Sequence, residues 1–366
     1  MKDNKKEIPV SLTFSLCLAM VIIVFVFSSD ISKGVISLAS TGENFTQETK
    51  TSIKVNNSGT AFKAPSIQVS GFGSGKKETG SDTDTPSDIL KLMENAKPLY
   101  SKYKKTGDIE ETQFGSGAAN TKYGNIYVNN RTDVSCDIKA LLNTKPSYGK
   151  ITKSKPYILI YHTHTTEGYE LLSKGWYSDD YNSRTNDTGR TVVRVGDEIE
   201  KELVKAGYGV IHDKKIYDST YNGAYSRSYV TVQKVLKENP SIVITLDVHR
   251  DAIHYDDGTK CKPTAVIDGK KAAQVMIITG CEENGITDFP NWKQNLVFSV
   301  ALQNKVEELY SGLMRPIFFC DRQYNMEVTP CSLLLEFGTD ANTLEEAVYS
   351  GKLIGKSLAR LLDENM

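Results

Sequence analysis

From Pro156 onward the chain alternates short apolar runs with stretches of helical periodicity. Tyr157 to His162, Tyr208 to His212, Pro316 to Cys320 and Ser332 to Glu336 read as strands, as does Ser241 to Val248, which is apolar enough for burial on both faces. Thr191 to Ala206 reads as a helix, with Val192, Val193, Val195, Ile199, Leu203 and Val204 on one stripe and Gly207 to stop it. Further helices are expected over Tyr221 to Leu236 and Asn291 to Tyr310. A last one opens at the capping box Thr343-Leu344-Glu345-Glu346 and runs to about Leu362. Thr264 to Ile278 predicts a hairpin turning at Asp268-Gly269. Residues 87–150 hold a helical pattern near Ile89 to Tyr103 and a strand-like piece at Asn125 to Val128, as a small domain or as an N-terminal extension of the next. The alternation predicts an α/β domain over 151–366, its mostly parallel or mixed sheet flanked by helices. Ligands of such sheets gather at the carboxyl ends of the strands.

The start of the chain differs in kind. Lys2, Lys5 and Lys6 precede an uncharged apolar run, Val10 to Phe27, of about the length that crosses a hydrocarbon core. Residues 1–28 therefore read as a transmembrane anchor at the cell membrane. The lysines favour an inside N-terminus, which places the remainder outside the cytoplasm. A cleaved signal peptide is the competing reading, but Phe27-Ser28-Ser29-Asp30 is not a small-x-small cleavage site. Residues 29–86 turn to Ser, Thr, Gly, Lys, Asn and Asp, too polar to bury a core, and read as a disordered tether. The net charge of −1 gives no electrostatic reason to expect nucleic acid as a partner. The six cysteines form no C-x-x-C pair, which argues against a cysteine-type zinc site.

The chemistry concentrates where apolar runs stop. Two of the chain's five histidines sit in Tyr161-His162-Thr163-His164-Thr165-Thr166-Glu167, directly after Tyr157-Ile158-Leu159-Ile160. A third, His249, follows Ile242 to Val248. Imidazoles and carboxylates are ligands that Zn²⁺ accepts, and a catalytic site needs about three of them plus an open position. His164, His249 and Glu167 are the best ligands, and Glu336, at the end of the last apolar run, is the best base. On an extended strand His162 and His164 point the same way, so either can be the ligand while the other orients it. His212 and His254 have no carboxylate pattern beside them and read as structural. Asp247 shares the face of His249, as an orienting group or a cap. Arg250 and Asp251 pair with each other or with loops, with a substrate carboxylate as a further partner for Arg250. The chain has no H-E-x-x-H helix and no G-x-S-x-G elbow.

These residues resemble the stage II sporulation protein P family, membrane-anchored peptidoglycan hydrolases of endospore-forming bacteria. The resemblance rests on Ile160 to Tyr169, on Val195-Gly196-Asp197, on Asp247-Val248-His249-Arg250-Asp251, and on Leu335-Glu336-Phe337-Gly338 followed by Asn342 to Ala347. It covers about residues 150 to 366. It implies a fold similar to zinc N-acetylmuramoyl-L-alanine amidases. It also implies cleavage between the glycan lactyl group and the L-alanine of the stem peptide, with endopeptidase activity on cross-links. The implied setting is engulfment during sporulation, beside a lytic transglycosylase and a membrane protein. In those amidases the last residue of Asp-Pro-Gly-His binds zinc, which corresponds to His164 here. Their Ser-x-His corresponds to Asp247-Val248-His249, and their catalytic glutamate to Glu336. Their glutamate ligand lies further along the chain, where this sequence has no Glu between Glu170 and Glu198 and so departs from that pattern; Glu167, a single turn from His164, is assigned in its place. A non-catalytic wall-binding scaffold is the alternative.

Overall fold

The computed structural model describes Ser37–Leu38 and residues 84–151 and 153–366. The expected anchor, and all of the expected tether up to residue 83 except Ser37–Leu38, lie outside them. Among the described residues no helix is long and apolar enough to cross a membrane.

In chain order the elements are β1 (Ser37–Leu38), α1 (Ser87–Tyr100), β2 (Gly107–Thr112), β3 (Thr121–Tyr123), β4 (Ile126–Asn130), α2 (Ile138–Leu142), β5 (Pro156–Tyr161), β6 (Trp176–Tyr177), α3 (Val192–Lys205) and β7 (Gly209–His212). There follow α4 (Ala224–Glu238), β8 (Ile244–Ile253), β9 (Lys260–Ile267), β10 (Lys270–Ala273), β11 (Val275–Gly280), α5 (Trp292–Leu309), β12 (Ile317–Cys320), β13 (Cys331–Thr339) and α6 (Leu344–Asp363). The main sheet runs β3-β4-β12-β11-β13-β8-β5-β7, with β1 against β8. β13, β8, β5 and β7 are mutually parallel, as are β4, β12 and β11; the two blocks meet antiparallel at β11–β13. The sheet is therefore mixed. A second sheet, β10-β9-β2-β6, stands apart.

The pleat sorts the side chains to two covered faces. Ile158, Ile160, Val210, Leu246 and Val248 join the large core that holds Val195 and Ile199 of α3 and Leu353 and Ile354 of α6. Leu159, Tyr161 and Ile211 face the other way and pack against Val232 and Val235 of α4. Thr191 caps α3 by accepting from Val193 N, and Gly207 follows its C-terminus at φ 89°. α6 opens with the capping box between Thr343 and Glu346 that the sequence predicts.

Two expectations need correction. The hairpin turns at Asp268 (φ 49°) and Gly269 (φ 79°), but its second arm ends at Ala273. There the Gln274 side chain bonds the backbone of Phe114 and Gly312, and the chain passes into β11 of the main sheet. β8 does not stop at Val248. It runs through His249, Arg250 and Asp251, because β13 continues beside it, pairing Glu336 with His249 and Thr339 with Asp251. The two groups expected at strand ends are thus cross-strand neighbours inside the sheet. The register shift between Glu336 and Thr339, around Gly338 at φ 63°, marks the rim instead.

Candidate metal centre

β5 ends at Tyr161, and a turn follows in which the Glu167 N–H donates to the His164 carbonyl at 3.0 Å. Asp247 of β8 pins this turn. Its carboxylate accepts from Thr163 N at 2.8 Å and from Thr163 Oγ1 at 2.6 Å. The turn breaks the alternation that would place His162 and His164 together. His162 keeps the α3 side. Its Nδ1 donates to the Val248 carbonyl at 2.9 Å, so its Nε2 accepts from His212 Nε2 at 2.8 Å. His164 turns to the α4 side, where its ring centroid lies 5.4 Å from that of His249.

His164, Glu167, His249 and Glu336 come together there with 1%, 0%, 1% and 2% of their surfaces exposed. His249 Nδ1 stands 3.3 Å from Glu167 Oε2. Its Nε2 forms a buried ion pair with Asp247 Oδ1 at 2.9 Å, off the line of an ideal hydrogen bond. Both ring nitrogens of His164 and Glu336 Oε2 are buried without hydrogen bonds. Buried polar atoms are nearly always paired, so several unpaired ones in one neighbourhood mark a place where water, an ion or a substrate group would be accommodated.

The electrostatics agree. Burial opposes a charged His249, yet Asp247 and Glu167 flank it and raise its pKa well above the ordinary imidazole value. Burial also works on Glu167, but the His249 hydrogen bond and charge overcome it and hold the carboxylate well below its usual range. Burial takes His164 down to about 4. Burial, with Asp251 nearby, pushes Glu336 well above the usual carboxylate value. Cationic His249 is what balances the carboxylates here, the task a divalent ion would assume.

Two imidazoles sharing an ion at Zn–N distances of about 2.0–2.1 Å have centroids about 5 Å apart, close to the spacing of His164 and His249. The carboxylate and two imidazole donors fit zinc. The three ligand atoms do not yet lie as close together as a bound ion requires. Among the described residues only Asp197, Glu200 and His212 offer ligand atoms all within 4.8 Å of one another. That group already has its partners. Lys214 Nζ is 2.7 Å from Asp197 Oδ1, and His212 Nδ1 is 3.0 Å from Glu200 Oε2.

The other candidate groups are held by protein partners. Arg250 is buried and spent on protein: it donates to the Gly168 carbonyl, the Asp251 carbonyl and Ser183 Oγ. It is not free for a substrate carboxylate. Asp251 pairs with Arg315 at 2.9 Å. His212 does have carboxylates beside it, supplied by α3 rather than by its own strand. His254 sits 3.3 Å from Asp340 and away from the centre. Sequence patterns also passed over the surround. Arg184 bridges Glu167 Oε1 at 3.2 Å and Asp218 Oδ2 at 2.9 Å. Tyr221 stacks on His164 with centroids 4.5 Å apart and planes at 7°. These come from loops before α3 and α4 whose composition carries no local signal.

An α/β sheet with histidines and carboxylates gathered on the α4 face between β5, β8 and β13 defines a candidate metallohydrolase. The model of the Stage II sporulation protein P family matches residues 66–359, and the chain belongs to that family. Stage II sporulation protein P of Bacillus subtilis strain 168 is 32% identical over 209 residues, 53% of this chain and 48% of that protein. The match thus spans about half of the curated relative. Among solved structures, the CwlD amidase from Clostridioides difficile in complex with the GerS lipoprotein aligns with 57% of this chain and 99% of its own, at 11% identity and a TM-score of 0.33. An N-acetylmuramoyl-L-alanine amidase from Clostridium difficile 630 aligns with 58% and 98%, at 12% identity and 0.32. Scores of this size do not establish a shared fold.

Proposed function

We propose that this chain is a zinc-dependent peptidoglycan hydrolase that cleaves the amide between N-acetylmuramic acid and the L-alanine of the stem peptide, and also peptide cross-links. The observation that carries the reading is the unpaired, buried ring nitrogens of His164 and Oε2 of Glu336, gathered with His249 and the Glu167 carboxylate on one face of the sheet. His164, Glu167 and His249 would hold the ion. When bound, zinc supplies Lewis-acid polarisation of the carbonyl and acidifies water. Glu336 takes the proton of the attacking water and passes it to the leaving nitrogen. Asp247 keeps the β5 turn and His249 in place. Residues 1–28 as a membrane anchor and 29–86 as a tether put residues 151–366, with 87–150 packed beside them, at the wall outside the cytoplasm. There a lytic transglycosylase and a membrane protein of the engulfment machinery are the proposed partners.

The test is digestion of purified sacculi with mass spectrometry of the products. Free stem peptides beginning at L-alanine are expected from the parent. Glu336→Gln should bind zinc as the parent does and release them at least about 100-fold more slowly. Binding of sacculi with no soluble product and no zinc would instead favour a wall-binding scaffold.

A further inference from the structure

One polar group in the centre has no role in the chemistry above. Tyr225 lies in the first turn of α4, directly after Gly223 and Ala224. Its ring meets His164 edge-on at 5.5 Å and lies at 11° to His249 at 6.3 Å. Tyr324 stacks on it at 5.3 Å. Its backbone is fixed, with the carbonyl accepting from Ser228 Oγ and from Asn325 Nδ2, each at 3.0 Å. Its hydroxyl is buried and bonds to nothing; burial, and then the charges of Asp247, Glu336 and Glu167, push its pKa well above the usual phenol value.

The remaining orphaned atoms of the centre belong to proposed ligands or to the base. Tyr225 Oη is the one orphaned hydroxyl donor there among the described residues. The nearby guanidinium of Arg184 is already committed to Glu167 and Asp218. Amide hydrolysis needs a donor that strengthens its bond as the carbonyl oxygen gains charge.

We propose that Tyr225 is a catalytic residue whose O–H donates a hydrogen bond to the scissile carbonyl oxygen as it becomes an oxyanion. This rests on the hydrolase reading above. Water oxygen bonds to the carbonyl carbon while Glu336 takes its proton, and the C=O π pair moves onto the oxygen facing Tyr225. The Tyr225 proton stays on its own oxygen throughout. The pair then returns, the C–N bond breaks, and Glu336 delivers the proton to nitrogen, leaving a carboxylic acid and an amine.

Tyr225→Phe keeps the ring contacts, so the fold and zinc content should match the parent. On a soluble muramyl peptide, kcat should fall by about 100- to 1000-fold, the usual cost of one lost oxyanion donor. KM should change less than about threefold. A phosphinate mimic of the tetrahedral species should lose affinity by a similar factor to kcat/KM. Near-parental kcat, with undiminished phosphinate binding, overturns the assignment while leaving the hydrolase reading intact. A parent protein that takes up no zinc and releases no stem peptide removes that reading, and this assignment with it.

Discussion

At the scale of single residues, the α3 face of the sheet depends on what can lie against that helix. His162 and His212 meet on the surface of α3 only because residue 196 has no Cβ. One built there would stand 2.7 Å from His212 Nε2 and 2.9 Å from His162 Cε1. Both rings are held by hydrogen bonds and cannot swing aside as a lysine tip would. Gly196→Ala gains about 1 kcal/mol of helix propensity but overpacks a buried pair at a cost of about 1–3 kcal/mol or more. The clash wins, and the melting temperature should drop by several degrees. A variant as stable as the parent would show that the His pair can move. The resemblance quoted Gly196, but a glycine inside a helical stripe gives no hint of which imidazoles it admits. The imidazoles themselves were legible because apolar runs halt at them. Asp218, Arg184 and Tyr225 were not, because they reach the centre from loops or a first helical turn far away in sequence.

At the scale of elements, periodicity located α3, α5, α6 and the buried strands to within a few residues. Of the second sheet only the β9–β10 hairpin was legible; β2, Gly-Asp-Ile-Glu-Glu-Thr, escaped because it is half exposed and mostly polar, so neither period shows in it. β8 was cut short for a related reason. His249-Arg250-Asp251 reads as a polar loop until β13, Gly168 and Arg315 are seen to satisfy it. One polar junction also carries a pH dependence. Glu170 joins α1 to the start of α6: its carboxyl accepts from Tyr100 Oη at 2.5 Å, and its backbone bonds Asn342 and Leu344. Burial raises its pKa to about 7, from 4.5 in the unfolded chain. Between those values the native state holds the extra proton, so stability falls as pH rises through that window, and no further above it. The full swing is on the order of 3 kcal/mol. Glu170→Gln should flatten the melting temperature between about pH 4.5 and 7 relative to the parent. An unchanged slope would move the effect to another buried acid.

At the scale of the whole molecule, binding of the proposed ion and folding would be one equilibrium. The proposed ligands come from the β5 turn and from β8, with the proposed base on β13, so only the folded sheet would assemble them. An ion at 100 times its Kd stabilises by about 2.7 kcal/mol, a melting shift of roughly 5–10 °C for a domain of about 200 residues. The sign with pH follows from the groups it displaces. Without the ion, His249 and Glu336 hold protons that their neighbours and burial favour. A ligand imidazole must give its proton up, so binding releases protons and tightens as pH rises. The zinc-induced shift should therefore grow from pH 6 to pH 8. It should vanish in His164→Ala and survive in Asp197→Asn, which touches only the cluster against α3. If the dependence is reversed, or if Asp197→Asn abolishes the shift while His164→Ala keeps it, the ion belongs beside His212 and the centre between β5, β8 and β13 is something other than a metal site.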